Sequence, residues 1–363
     1  SQQERWEEAA AACNDFITTL GNKYSMDEYR LIRDYQNGEI IFDRRYGSTN
    51  TFEKNNYPVG YNLGQSGNTP SQNLVDAYEM IDGTPFDWNN PEHKSNPYAN
   101  RDPRLAMSIL TNNVEFKDRT IEAWTGGRDG KGVIHATRTG YYIYKFIDPN
   151  LDLLQNRTSV HHWVIMRYAE ILLSYAEAMN EAYGPTGNVG YRLNAVRALN
   201  QVRNRVGVEM PAVPTAISKE ELREKIRNER RVELACEGFR YDDTMRWAAG
   251  SIYERPFEGV YLPGFGVYDC TGDGVPDVAL FKSPNDKMGY TDEELKELSV
   301  YYTEDENGAP KQIYLSEGDK GNIRFYSDTD EDANKFIAPK YYYYPLSKDE
   351  LVLNPNLKQP IGW

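Results

Sequence analysis

The stretch from Trp163 to Trp247 does most to limit what this chain can fold into, because its apolar residues recur at helical spacing through four consecutive segments. Ile165, Tyr168, Ala169, Leu172, Leu173, Ala176 and Met179 fall at three- and four-residue steps. They predict a helix from about Trp163 to Tyr183, stopped by Gly184 and Pro185. A second helix is expected from about Tyr191 to Arg205, with Leu193, Val196, Leu199 and Val202 on its apolar side and Gly207 at its end. The third opens with a capping box at Ser218 and Glu221, in which each side chain serves the other residue's free backbone N–H. It continues through Leu222, Ile226, Val232 and Leu234 to Gly238. A short fourth helix, Tyr241 to Ala249, is closed by Gly250. Two hairpins in tandem, each about 40 residues, approach the period of tetratricopeptide-type solenoids. Small residues such as Ala169, Ala176, Ala195 and Ala198 allow the helices to cross closely. Such a stack is a scaffold and names no ligand.

Around this core the pattern changes. Trp6, Ala10, Cys13, Ile17 and Leu20 predict a helix ended by Gly21, and a capping box at Ser25 and Glu28 starts a shorter one. Glu39 to Phe42 reads as a strand, residues 47–70 as loop, and Ser71 as the cap of a helix from Gln72 to Ile81. Residues 84–162 lack helical period and carry strand-like pieces at Met107–Leu110, Val133–Ala136 and Tyr141–Ile147. Residues 251–340 are again irregular, apart from a short helix at Asp292–Leu298 capped by Thr291 and Glu294. A helical turn capped by Ser347 lies near the end. No Gly/Ser or Pro-rich linker divides the chain. The expectation is therefore a mainly α fold in one domain over residues 1–363. Its tetratricopeptide-like hairpins (about 1–35, 71–82 and 163–249) would support a loop-rich face with short strands (about 84–162 and 251–340).

Composition narrows the function. A net charge of −14 with no basic stripe argues against nucleic acid as partner. No apolar run approaches the roughly 18 residues that would cross a bilayer. The chain starts inside an amphipathic helix without a signal peptide, which reads as a fragment or processed product. Cys13, Cys236 and Cys270 show no metal or redox spacing. Aromatic residues make up 13%, with 28 tyrosines. Such side chains offer a flat apolar face and a polar tip, used on open binding surfaces and equally inside large folds.

Several stretches, taken in order, resemble the SusD/RagB family of surface glycan-binding lipoproteins. They are residues 38–42 (Gly-Glu-Ile-Ile-Phe), 73–80 (Asn-Leu-Val-Asp-Ala-Tyr-Glu-Met), 101–105 (Arg-Asp-Pro-Arg-Leu) and 167–173 (Arg-Tyr-Ala-Glu-Ile-Leu-Leu). Further on come residues 199–203, 229–234 and 237–240, and the closing Asn-Pro-Asn-Leu, Gln-Pro and Gly-Trp of residues 354–363. The chain is similar to the C-terminal two-thirds of such a protein. The resemblance implies a helical fold with a loop-rich face and capture of an oligosaccharide or polysaccharide, without catalysis, at the outer membrane of a Bacteroidetes-type bacterium. It also implies a TonB-dependent SusC-like transporter as partner, and a lipid anchor in an N-terminal part outside this sequence.

The candidate sugar platform is the irregular segment. Trp88 stands beside Asp87 and Asn89, Tyr98 beside Asn96 and Arg101, and Trp124 precedes Gly126, Gly127 and Arg128. A sugar packs its C–H face on an aromatic ring, and its hydroxyls need fixed donors and acceptors. Trp88, Asn89, Tyr98, Trp124 and Arg128 are therefore the expected glycan contacts, with loop packing as the alternative. Trp163 and Trp247, at helix positions, are expected in the core. Asp269, Thr271, Asp273, Asp277 and the Val275 carbonyl have the spacing of a calcium loop around Gly274. The acidic residue expected at its twelfth position is replaced by Leu280, and an Asp-Gly turn is the alternative. Glu229, Glu233 and Glu237 share a helix face among arginines, so helix-locking ion pairs are expected there in preference to an acid/base pair. His161 and His162 point to a strand end or helix start. The remaining alternative is a helical-repeat scaffold for a protein partner, or a peptide-binding lid of such a transporter.

Overall fold

In chain order, helix α1 (Trp6–Leu20), strand β1 (Ile40–Arg45) and helices α2 (Thr51–Asn56), α3 (Gln72–Val75), α4 (Pro91–Ser95) and α5 (Arg104–Ser108) come first. Strands β2 (Ile109–Leu110), β3 (Glu115–Phe116), β4 (Arg119–Thr120), β5 (Tyr142–Ile143) and β6 (His162–Arg167) follow. Helices α6 (Tyr168–Tyr183), α7 (Ala195–Arg203), α8 (Lys219–Glu233) and α9 (Phe239–Arg246) form the scaffold. Strands β7 (Glu258–Val260), β8 (Gly266–Tyr268), β9 (Val278–Phe281), β10 (Ser299–Tyr302) and β11 (Arg324–Tyr326) then precede helix α10 (Lys348–Leu353). The computed structural model describes residues 4–27, 29, 37–255, 258–260, 264–268, 274–276, 278–308, 324–326 and 336–363.

The scaffold forms as its periodicity predicts. Helix α6 packs against α1, α7 and α8. Its face of Ala169, Leu172, Leu173, Ala176 and Met179 is fully buried, together with Ala195, Leu199 and Val202 of α7 and Leu222 and Ile226 of α8. Gly184 ends α6 at φ +76, a backbone state that costs a glycine little. The capping box of α8 is complete, with the Glu221 N–H 3.1 Å from Ser218 Oγ and the Ser218 N–H 3.0 Å from the Glu221 carboxylate. Helix α7 begins at Ala195, four residues later than expected, because Asn194 is its N-cap and accepts from the Arg197 N–H at 2.9 Å.

The start of the first scaffold helix differs from expectation. Residues 162–167 are strand β6, paired antiparallel with β1 through Ile40–Arg167 and Asp43–Val164. A short apolar run is ambiguous between helix and strand, and Trp, Val and Ile favour the strand once an edge is available. Trp163 therefore points outward, 39% exposed, instead of entering the core. Trp247 is half-buried at the end of α9, its indole N–H 2.7 Å from Glu177 Oε1. Strand β6 starts at His162, so the histidine pair marks a strand end.

Other differences are local. Helix α3 stops at Val75, and the chain then turns through Tyr78. Helix α2 lies within the expected loop 47–70. Residues 133–136 form turns, and residues 292–297 are turns that keep the Thr291–Glu294 capping bonds. Of the expected helix from Ser25, Glu28 and residues 30–36 lie outside the described residues.

A buried ionic network joins the scaffold to the rest. Arg167, the last residue of β6, donates to Glu39 and Glu233 at 2.6 Å and to Glu237 at 2.8 Å. Arg104 reaches Glu229 at 2.6 Å, Asp102 at 2.7 Å and Glu233 at 2.8 Å. Arg205 pairs with Glu39 and Glu233 at 2.9 Å, and Lys145 with Glu237 at 2.6 Å. Burial alone would raise the Glu233 carboxyl, but the charges of Arg205, Arg167, Arg104 and Lys145 outweigh it and hold it well below the usual range. The α8 carboxylates are thus helix-locking ion pairs.

Candidate glycan-binding face

The loop carrying Trp88 is braced from below. Asp76, just after α3, accepts from the Trp88 indole N–H at 3.0 Å and from Gln72 Nε2 at 2.7 Å. The Phe86 ring meets Trp88 edge-on at 4.9 Å, stacks with His93 at 5.4 Å and carries the Arg101 guanidinium at 4.1 Å. Arg101 in turn donates to the carbonyls of Pro97, Val75 and Tyr78 at 2.6, 2.6 and 2.7 Å. Burial pushes this guanidinium down to about 10. Asn90 caps α4 through the Glu92 N–H at 2.9 Å. The half-buried Trp88 is thereby fixed, while Asn89 is exposed, its side-chain amide 3.0 Å from Asp87 Oδ1.

Tyr98 belongs to the same bonded system. Its hydroxyl donates to the Tyr141 hydroxyl at 2.7 Å, which donates to Gln72 Oε1 at 2.5 Å, and Gln72 reaches Asp76. Trp88 and Tyr98 are therefore brought together through Asp76, Gln72 and Tyr141. Tyr98 packs on the core beneath, so its ring offers less free surface than its sequence setting implies.

Trp124 and Arg128 lie on a second loop held by Asp129. This buried carboxylate accepts from Arg119 at 2.6 and 3.0 Å, from the Glu122 N–H at 2.9 Å and from the Gly60 N–H at 3.1 Å. Trp124 packs partly on the core and tilts against Phe265 at 5.8 Å. Arg128 is exposed and forks onto Glu122 at 2.6 and 2.9 Å, which holds that carboxyl below its ordinary value. Two of its nitrogens are already committed.

A cleft of about 1190 Å³ opens between α3, α8 and α9. Its walls include Asp76, Trp163, Arg231, Tyr241, Tyr253 and Arg255. None of the five expected contacts lines it, although Trp88 bonds to Asp76 on its wall. Burial, then the nearby Arg240, pushes Arg231 down to about 10. The signal in the sequence was an aromatic on the polar side of a helix: Tyr241 is exposed on α9 and tilts toward Tyr253 and Tyr344.

Asp269, Thr271, Asp273 and Asp277 of the calcium reading lie outside the described residues, and Val275 is exposed. Among the described residues no group of three or more His, Cys, Asp or Glu is placed to hold a metal. Cys13 and Cys236 are free thiols. Among the described residues no helix is long and apolar enough to cross a membrane.

This architecture defines a helical scaffold with a loop-rich face, and comparison with known proteins places it. The SusD family model matches residues 38–363, and the chain belongs to that family. A SusD-like carbohydrate binding protein from Bacteroides fragilis superposes with a TM-score of 0.69 at 27% identity, covering 98% of this chain and 62% of that one. A second SusD-like protein from the same species gives 0.68 at 24% identity over 99% of this chain and 62% of that one, a likeness of fold. SusD-like protein P38 of Formosa agariphila is 35% identical over 103 residues, which is 27% of this chain and 19% of that protein. The chain thus spans less than two thirds of the length of these relatives.

Proposed function

We propose that this chain is the larger part of a non-catalytic surface protein that captures an oligosaccharide or polysaccharide and passes it to a TonB-dependent, SusC-like transporter in the outer membrane. A lipid anchor outside this sequence would hold it there. The observation that carries the reading is the SusD-family match over residues 38–363, joined to a relative described as carbohydrate binding. The geometry supports it through Trp88, a half-buried indole fixed by Asp76 and Phe86 with the exposed Asn89 amide beside it. A sugar ring stacking there would meet a rigid apolar face and a polar neighbour without an ordering cost. Tyr98, Trp124 and Arg128 would extend the platform. Calcium at Asp269, Thr271, Asp273, Val275 and Asp277 would stabilise the loop between β8 and β9.

The test is binding of the purified protein to an oligosaccharide array, with and without a calcium chelator. Retention of one glycan class is expected, and weakening by the chelator would support the calcium loop. A folded protein that retains no glycan and instead holds a peptide or protein partner would overturn the reading.

A further inference from the structure

A second, smaller pocket of about 310 Å³ lies where the end of β1, α2 and β6 meet, apart from the loops of the platform. Its walls are aromatic and interlocked. Phe146 meets Phe52 edge-on at 6.3 Å and tilts against Trp163 at 5.7 Å, and Phe52 tilts against His161 at 5.5 Å. Both imidazoles are tied from behind: His161 Nε2 lies 3.0 Å from the fully buried Glu53 carboxylate, and His162 Nδ1 lies 2.9 Å from Asp43. The imidazole side of the pocket is therefore held in place.

The mouth is amphipathic. Trp163 and Tyr46 are 39% and 44% exposed. Thr49 and Thr51 present hydroxyls 2.9 Å apart, and the exposed Asn55 amide stands one turn further along α2. The lining contains no Lys, Arg, Asp or Glu, and its two imidazoles are engaged by Glu53 and Asp43. A volume near the lower end of the about 300–1000 Å³ range of small-molecule sites suits a single ring. Ring faces, hydroxyls and an amide match the C–H face and hydroxyl edge of a neutral pyranose. Trp163 also lines the large cleft, so the pocket opens beside it.

We infer that this pocket takes one neutral pyranose unit, a chain end or side branch, stacked on Trp163 and Tyr46 and hydrogen-bonded at Thr49, Thr51 and Asn55. The inference rests on the proposed function only for the class of ligand. The test is a ¹⁵N–¹H titration of the tryptophan indole resonances, with that of Trp163 assigned by its loss in Trp163→Phe. The probes are the methyl glycosides of glucose, galactose, mannose, xylose and N-acetylglucosamine, with phenol as an apolar control. At least one glycoside should shift the Trp163 resonance saturably, and Tyr46→Ala or Thr51→Val should weaken that response about tenfold. No shift by any glycoside, a shift by phenol alone, or an unchanged response in both variants would overturn the inference. Trp88→Ala separates the two sites. If it abolishes oligosaccharide binding while the Trp163 response persists, the platform and the pocket are distinct. Loss of the Trp163 response in that folded variant would contradict a separate pocket.

Discussion

The two halves of this molecule are held together by different chemistry. The scaffold core is mostly aliphatic, built from Ala, Leu and Val of α6, α7 and α8, with Tyr168 and Tyr175 as its buried aromatics. The core under the loops is richer in aromatics, with Tyr57, Tyr61, Tyr78, Tyr141, Tyr142 and Phe116 buried among aliphatic side chains. Helices satisfy their own backbone, so their faces need only apolar bulk. Loops leave carbonyls without partners, and a tyrosine fills space while its hydroxyl serves them. Tyr61 donates to Phe116 O at 2.6 Å, Tyr57 to the carbonyls of Asp148 and Leu151, and Tyr142 to that of Asp129. These tyrosines thus order irregular chain and are not free for binding.

The largest effect is expected where the halves meet. Glu233→Ala would take one carboxylate partner from each of the buried Arg167, Arg205 and Arg104 and cost about 3–5 kcal/mol, read as a lowered denaturant midpoint. A change below about 1 kcal/mol would show that the network is not integral to the fold.

Acid should act on the same junction. Glu233 and Glu237 are held below their ordinary value of 4.5, burial being outweighed by the surrounding cations. A depressed folded-state value means that the unfolded chain binds protons first. Their stabilisation is therefore complete above pH 4.5 and is lost as pH falls below it toward the folded-state values. Glu170, raised by burial, works in the opposite sense and offsets part of the loss. Denaturant midpoints across that range should fall with pH, and less steeply in Glu237→Gln.

Smaller effects probe the loop half. Tyr61→Phe keeps the ring and removes the bond to Phe116 O, and should cost about 1 kcal/mol in thermal or denaturant unfolding. Arg128→Ala breaks only an exposed pair with Glu122 and should change stability by less than about 1 kcal/mol. If Tyr61→Phe were neutral while Arg128→Ala unfolded the loops, the contrast between buried tyrosines and surface charges would be wrong.

What the sequence discloses follows the same division. Periodicity located α1, α6, α7, α8 and α9, and the Ser218 and Ser347 caps, because those signals are local. Residues 162–167 misled because three- and four-residue spacing there coincides with a strand whose partner, residues 40–45, lies far away in sequence. The ion pairing of Glu229, Glu233 and Glu237 was legible, but Arg104, Lys145, Arg167 and Arg205 as partners were not, since all four come from outside the α8–α9 hairpin. Around the site, Trp88 and Asn89 could be singled out from loop composition. The bond from Trp88 to Asp76, the inward turn of Tyr98 and the outward face of Trp163 all depend on tertiary packing.

The most direct test compares the affinity of the array-identified oligosaccharide for the unaltered protein and for Trp88→Ala, each with its unfolding midpoint. If the loop half presents a braced aromatic platform on an independently stable scaffold, affinity should fall about tenfold or more while the unfolding free energy changes by less than about 1 kcal/mol. Unchanged affinity, or loss of affinity only through unfolding, would contradict that account.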